Sequence, residues 1–215
     1  MILCDIGNTT FHFKNKKKDF RINIKKNIKN KIDSSKPIYF ISVNEKATKK
    51  LQKNYQNIIN LKDLINFKTS YNGMGIDRVV VCDYISNGII VDIGSAITVD
   101  VMTNKIHKGG FILPGLSSYK NAYPKISKKL LFKFNRDINL DKIPMDTSNA
   151  ISFAVINSIV LPILKVYEEY KLPIYFTGGD ANKILKYFKN QKIIYKKDLI
   201  FKSMKKIINR NKRGK

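Results

Sequence analysis

The 215-residue chain is long enough to bury a real core, as one large domain or two small ones, and 43% hydrophobic content with a formal net charge of +25 fits a soluble, basic globular protein. No uninterrupted apolar run is long enough for a membrane span, and the N-terminus enters a strand with no basic region before it, so neither a membrane segment nor a secretory signal is expected. Cys4 and Cys82 read as buried thiols, which implies a cytoplasmic address. The positive charge is almost all lysine; Arg21, Arg78, Arg136, Arg210 and Arg213 are the only arginines. Arginine makes the bidentate contacts that read phosphates and bases, so no specific nucleic-acid partner is expected. The lysines should still raise non-specific polyanion binding and steer anionic substrates.

In chain order, residues 1–4, 9–13 and 20–24 predict three strands, and a lysine- and asparagine-rich stretch, 25–36, follows. Pro37 precedes a strand at 38–43, with a helix over 45–55 and a short strand at 58–61. Residues 71–78 form a glycine-broken loop that leads into a helix ending near Ser86. The second half repeats the plan: strands at 89–92, 97–102 and 110–113, then a helical segment after Pro114-Gly115. An apolar helix over 147–170, kinked at Pro162, precedes a strand at 174, a helix from Ala181, a strand at 193–195 and a basic amphipathic helix from Asp198. Strand triplets followed by helices, twice over, predict two α/β lobes, 1–74 and 75–215. The apolar stripe from Ala150 to Leu164 reads as core or dimer packing.

Three turns carry the chemistry. Asp5-Ile6-Gly7-Asn8-Thr9 returns as Asp92-Ile93-Gly94-Ser95-Ala96, each after a short apolar strand. The Asp can hold a cation or a water, the Gly lets the backbone approach a phosphate, and Asn, Ser or Thr adds hydrogen-bonding groups. The third turn, Thr177-Gly178-Gly179-Asp180, also follows a strand. Asp-x-Gly is also common turn chemistry, and Asp77 could simply cap a helix; capping and catalysis are compatible. Neither His12 nor His107 has the spacing of a metal ligand or a nucleophilic triad. No Walker lysine or dinucleotide fingerprint is present.

These motifs resemble the actin, heat-shock ATPase and sugar-kinase superfamily. More narrowly, they resemble bacterial type III pantothenate kinases, through Asp5 to Thr9, Gly75-Ile76-Asp77-Arg78, Asp92 to Asp100, Gly109 to Gly115, Thr147-Ser148-Asn149-Ala150 and Thr177 to Asp180, in that order. The resemblance implies a duplicated ribonuclease-H-like two-lobe α/β fold with mixed sheets flanked by helices. It implies ATP-dependent phosphorylation of pantothenate at its primary hydroxyl, the first step toward coenzyme A, by a homodimer. It also implies Mg2+ carried with ATP and a monovalent cation, K+ or NH4+.

By position, Asp5, Ile6, Gly7, Asn8, Thr9, Thr10, Phe11 and His12 would form the ATP phosphate segment, with Asp5 near the divalent ion through water. Ser95, Gly178 and Gly179 would also approach ATP, and Asp92 would hold the monovalent cation. Tyr71, Gly75, Ile76, Asp77, Arg78 and Thr147 would bind pantothenate, with Asp77 as general base. Ser95 stands where many members have Thr, keeping the hydroxyl, and Ala154 takes a helical position that is often Gly. Some relatives have been described as transcription-accessory factors, so a nucleic-acid-binding protein reusing the kinase fold is the rival reading. Intact Asp5, Asp77 and Asp92 favour the enzyme.

Overall fold

The computed structural model describes residues 1–33 and 35–213. Short apolar runs and, in β2 and β3, alternation of apolar and polar residues build five strands in the first half: β1 (Ile2–Ile6), β2 (Thr10–Lys14), β3 (Asp19–Asn23), β4 (Ile38–Ser42) and β5 (Ile58–Asn60). They join in one sheet in the order β3-β2-β1-β4-β5. β1 to β3 form an antiparallel meander, and β4 and β5 are parallel to β1. The second half supplies β6 (Gly88–Ile93), β7 (Ala96–Thr103), β8 (Ile106–Pro114), β9 (Ile174–Thr177) and β10 (Ile193–Tyr195). Their order, β10-β9-β6-β7-β8, is the same winding, with the same alternation of antiparallel and parallel pairs. The repeated phrase at Asp5 and Asp92 is thus the visible trace of a duplicated sheet.

The helices are α1 (Glu45–Asn54), α2 (Ile76–Tyr84), α3 (Leu116–Ile126), α4 (Thr147–Tyr170) and α5 (Leu199–Arg213). Contacts divide the chain into two units: Met1–Ile85 together with the chain from Asp198 onward, and Ser86–Lys197. This differs from the division at 74/75 read from the sequence, because both α2 and α5 belong with the first sheet. α5 buries Leu199, Ile200, Phe201, Met204, Ile207 and Ile208 at helical spacing and packs against α2 and β1. A sequence window shows that α5 has an apolar face but not which sheet the face will meet.

In the first unit, Ile2, Cys4, Ile6, Phe11, Phe13, Ile38, Phe40 and Leu51 form the core. The lysine-rich stretch is anchored to it by Ile28, fully buried, whose carbonyl accepts from the Tyr55 hydroxyl. Lys50 Nζ donates to the carbonyls of Ile24 and Lys26, both at 2.8 Å, so this lysine serves structure. The second unit closes its core with α4, which buries Ile151, Val155, Ile156, Ile159, Val160 and Ile163 against β6, β7 and β9 residues. α4 is the one helix among the described residues long and apolar enough to cross a membrane by length and composition, and one face of it fills this core. It runs through Pro162 as one helix. The helix expected from Ala181 is instead two single 3-10 turns, Ala181–Lys183 and Leu185–Tyr187, which still bury Ala181, Ile184 and Phe188.

Candidate active site

In the first unit, β1 delivers Asp5 to the start of a tight hairpin, closed by the Gly7 amide donating to the Thr10 carbonyl at 3.0 Å. Asn8 and Thr9 are exposed at its tip, while Asp5 is half-buried behind them. Ile6 and Phe11 put their side chains wholly into the core, so they can reach a phosphate only through their backbones. His12 turns inward too: its Nε2 lies 2.7 Å from Asp19 Oδ1 and its ring meets Phe201 edge-on at 4.6 Å. Burial, with Arg21 and Lys14 nearby, lowers the His12 pKa despite Asp19, so the imidazole is neutral at neutral pH and adds no charge for phosphates.

Asn44, which sequence reasoning passed over, ties this hairpin to α1. Its Oδ1 accepts from the Ala47 amide at 3.0 Å, capping the helix, and its Nδ2 donates to the Asn8 carbonyl at 3.4 Å. The available signal was an Asn directly before a predicted helix. Asn44→Asp keeps the cap and removes the donor to Asn8. The expected result is an unchanged melting temperature with the KM for ATP raised several-fold, whereas an unchanged KM would show that Asn44 acts on the helix alone.

The loop at Tyr71 reaches α2 through Gly73, whose φ of +71° turns the chain where a side chain would be strained. α2 is capped by Gly75 with no side-chain bond, and Asp77 lies inside the first turn. The reading of Asp77 as the cap is therefore replaced by another. Its Oδ1 accepts from the Arg78 amide at 2.9 Å, and the positive end of the helix favours its charge. A Cβ on Gly75 would sit 2.6 Å from Asp77 Oδ1, so glycine leaves the room in which this carboxylate lies. Arg78 is buried, with its guanidinium carbon 4.5 Å from the Tyr71 ring centroid, a cation–π stack that holds the fork in one orientation. Tyr71, Gly75, Asp77 and Arg78 are thus brought together; Ile76 is the first residue of the helix.

In the second unit, β6 delivers Asp92 between Thr98 on β7 and Thr177 on β9. The hairpin beyond it closes with the Gly94 amide donating to the Ala96 carbonyl at 3.0 Å, and Ser95 is exposed at the tip. Gly178, at φ +92°, passes so close that a Cβ there would lie 2.4 Å from Asp92 Oδ1 and 2.3 Å from the Ile93 carbonyl oxygen. The Asp180 amide donates to that carbonyl at 3.0 Å. A second glycine with a packing role, Gly115, caps α3; a Cβ there would meet the Gly94 and Ser95 carbonyl oxygens at 2.3 and 2.5 Å. Gly179 has open space around it.

Thr147 opens α4 and is exposed. The cap is Asp146, whose carboxylate accepts from the Asn149 amide at 3.0 Å; the Asn149 backbone and side-chain donors hold its pKa below the usual value. Asp100 is buried with its Oδ1 2.8 Å from His107 Nε2, a pairing expected of a core carboxylate. Beside Asp92 the Gly178 turn also brings the Ile93 carbonyl oxygen, so carboxylate and carbonyl oxygens meet there, the ligand type that hard cations prefer, and Asp5 offers a half-buried carboxylate of the same type.

Residues 12–169 match the family model of the type III pantothenate kinase. The chain is 44% identical over 211 residues to the type III pantothenate kinase of Campylobacter jejuni serotype O:2, covering 98% of each. It is 40% identical over 215 residues to that of Helicobacter hepaticus, covering 98% of this chain and 99% of the other. A solved structure from Campylobacter jejuni, named for a Baf family of transcriptional activators, superposes with TM-score 0.83 and 40% identity over 99% of this chain and all of that one. A 2-dehydro-3-deoxygalactonokinase structure from Sinorhizobium meliloti shares the fold, with TM-score 0.61 at 6% identity and coverage of 97% and 96%. With the fold, the ordered motifs and nearly full-length identity agreeing, the chain belongs to the type III pantothenate kinase family.

Proposed function

We propose that this protein transfers the γ-phosphoryl group of ATP to the primary hydroxyl of pantothenate, giving 4'-phosphopantothenate, the first step of coenzyme A synthesis. The observation that carries the reading is Asp77: a carboxylate inside the first turn of α2, held by the Arg78 amide beside the stacked Arg78 and Tyr71. Phosphoryl transfer asks mainly for positioning and charge neutralisation. Asp77 accepts the hydroxyl proton, Arg78 orients the pantothenate carboxylate, and Tyr71 and Thr147 are further pantothenate-binding residues. The Gly7 to Thr10 hairpin, Ser95 and the Gly178-Gly179 turn approach ATP, and Ile76 offers backbone only. Asp5 would hold the Mg2+ carried with ATP through water, and Asp92 the monovalent cation. Bound there, these ions offset phosphate charge that no lysine of the motifs neutralises.

Turnover of ATP with pantothenate against a panel of sugars is the deciding assay: turnover on a sugar alone would reassign the substrate. Intact Asp5, Asp77 and Asp92 favour this enzyme over the regulatory role that the Campylobacter jejuni structure's name carries. If Asp92 holds the cation, activity should be at least several-fold higher in potassium than in a bulky organic cation, and Asp92→Asn should flatten that difference. Equal rates in both salts would remove the assignment.

We further propose that the enzyme works as a homodimer in the cytoplasm. Support comes from Leu161 on α4, 58% exposed on the face turned away from the core, and from Cys4 and Cys82, both buried and outside any disulfide. Sedimentation at micromolar concentration should report a dimer; a fully active monomer would defeat this.

A further inference from the structure

At the end of the first sheet away from the phosphate hairpin, a cavity of about 280 Å3 opens between the start of β1, the β2–β3 turn and α5. Leu3, which lines it, precedes Gly7 by about 13 Å along the strand, so the cavity is a separate place from the Asp5–Thr10 turn. Met1 and Leu3 give it an apolar wall, and Lys14, Lys16, Lys17, Lys36 and Lys205, long apolar stems ending in ammonium groups, complete its lining.

The five lysines are not equivalent. Lys14 is held by both Asp19 and Asp198, and Lys36 is paired with Asp33 at 2.7 Å. Lys16, Lys17 and Lys205 make no ion pair among the described residues. The turn that carries Lys16 and Lys17 is rigid: Asn15 Oδ1 accepts from the Lys17 and Lys18 amides, both at 2.8 Å, and the Asn15 amide donates to the Lys18 carbonyl at 2.9 Å. Lys14 fixes the opposite wall by joining β2 to Asp198, the residue before α5, with its ammonium 5.7 Å from the Phe201 ring centroid. A pre-formed apolar hollow with uncompensated ammoniums in its lining is complementary to one class of molecule, a short apolar body ending in an anion. Its volume is near the lower limit for small-molecule sites, about 300 Å3.

We propose that this cavity binds a small amphipathic anion, an alkyl carboxylate or alkyl phosphate, with the apolar part against Met1 and Leu3 and the head group at Lys16, Lys17 and Lys205. The proposal is independent of the catalytic reading. The test is calorimetric titration of the full chain with octanoate and octyl phosphate, with inorganic phosphate and octyl glucoside as the charge-only and apolar-only probes. Amide shifts in NMR locate the binding.

Saturable one-to-one binding of either octyl anion is expected, at least tenfold tighter than either control, with shifts centred on Leu3, Asn15 to Lys17 and Lys205. The triple variant Lys16→Gln, Lys17→Gln, Lys205→Gln should weaken binding at least tenfold and leave the melting temperature and ATP turnover unchanged. Octanoate and octyl phosphate binding alike would show that the site reads charge and chain; preference for one would name the head group. No saturation by either anion, inorganic phosphate binding equally well, or shifts centred on the Gly7 to Thr10 hairpin would each overturn the proposal.

Discussion

Asp77→Asn should lower turnover with pantothenate about a hundredfold or more while leaving the fold and pantothenate affinity nearly unchanged. Asn matches Asp in size and can still accept from the Arg78 amide, the 2.9 Å bond that now orients the side chain. What it cannot do is take a proton. The helix loses nothing essential, because its cap is the Gly75 backbone. The loss at the helix N-terminus of one negative charge costs about 0.3–1 kcal/mol, too little to unfold a unit with this core. Affinity should persist because Arg78 remains buried and stacked on Tyr71. Turnover, pantothenate affinity and melting temperature measured together separate the cases. Near-normal turnover would pass the base role to another group, and a collapse in melting temperature would make Asp77 a structural residue.

Gly178→Ala should destabilise the second unit by about 3 kcal/mol or more and abolish activity. Two independent penalties meet at this residue. Its φ of +92° is one that a side-chain-bearing residue rarely adopts, and a Cβ would press on the Ile93 backbone and on Asp92 Oδ1 at 2.3 to 2.4 Å. The backbone cannot yield cheaply, since Ile93 is fully buried and its carbonyl already accepts from the Asp180 amide. The Asp92 carboxylate would have to move, so the proposed cation ligand is displaced by the same change. Gly179→Ala is the control: open space surrounds that position, and its melting temperature should stay near that of the natural protein. If Gly178→Ala melts like Gly179→Ala, the close approach of this turn to Asp92 is incorrect.

Local signals were legible wherever a few adjacent residues decide the outcome. The alternation in 10–14 and the short apolar run in 38–42 read as strands because strands of this length bury their apolar side chains, and Asp-x-Gly reads as a hairpin because such residues favour the turn. The Ala181 segment failed for a related reason. Ala181, Ile184 and Phe188 have helical spacing, but burying them requires only two short turns, so periodicity reported their burial rather than a helix.

The sequence by itself determined the two strand triplets, the repeated acidic turns, the ordered family motifs and the residue types available for phosphoryl transfer. These are properties of short stretches and of their order. Tertiary structure alone decided that both sheets are wound alike, that α5 returns to the first sheet, and that Asp77 sits inside its helix rather than capping it. It also decided that Asn44 holds the Asn8 turn and that Gly178 closes over Asp92. Each of these depends on residues distant in sequence being driven together by burial of apolar faces, with hydrogen bonds then selecting the register. No local pattern records which distant face will be met.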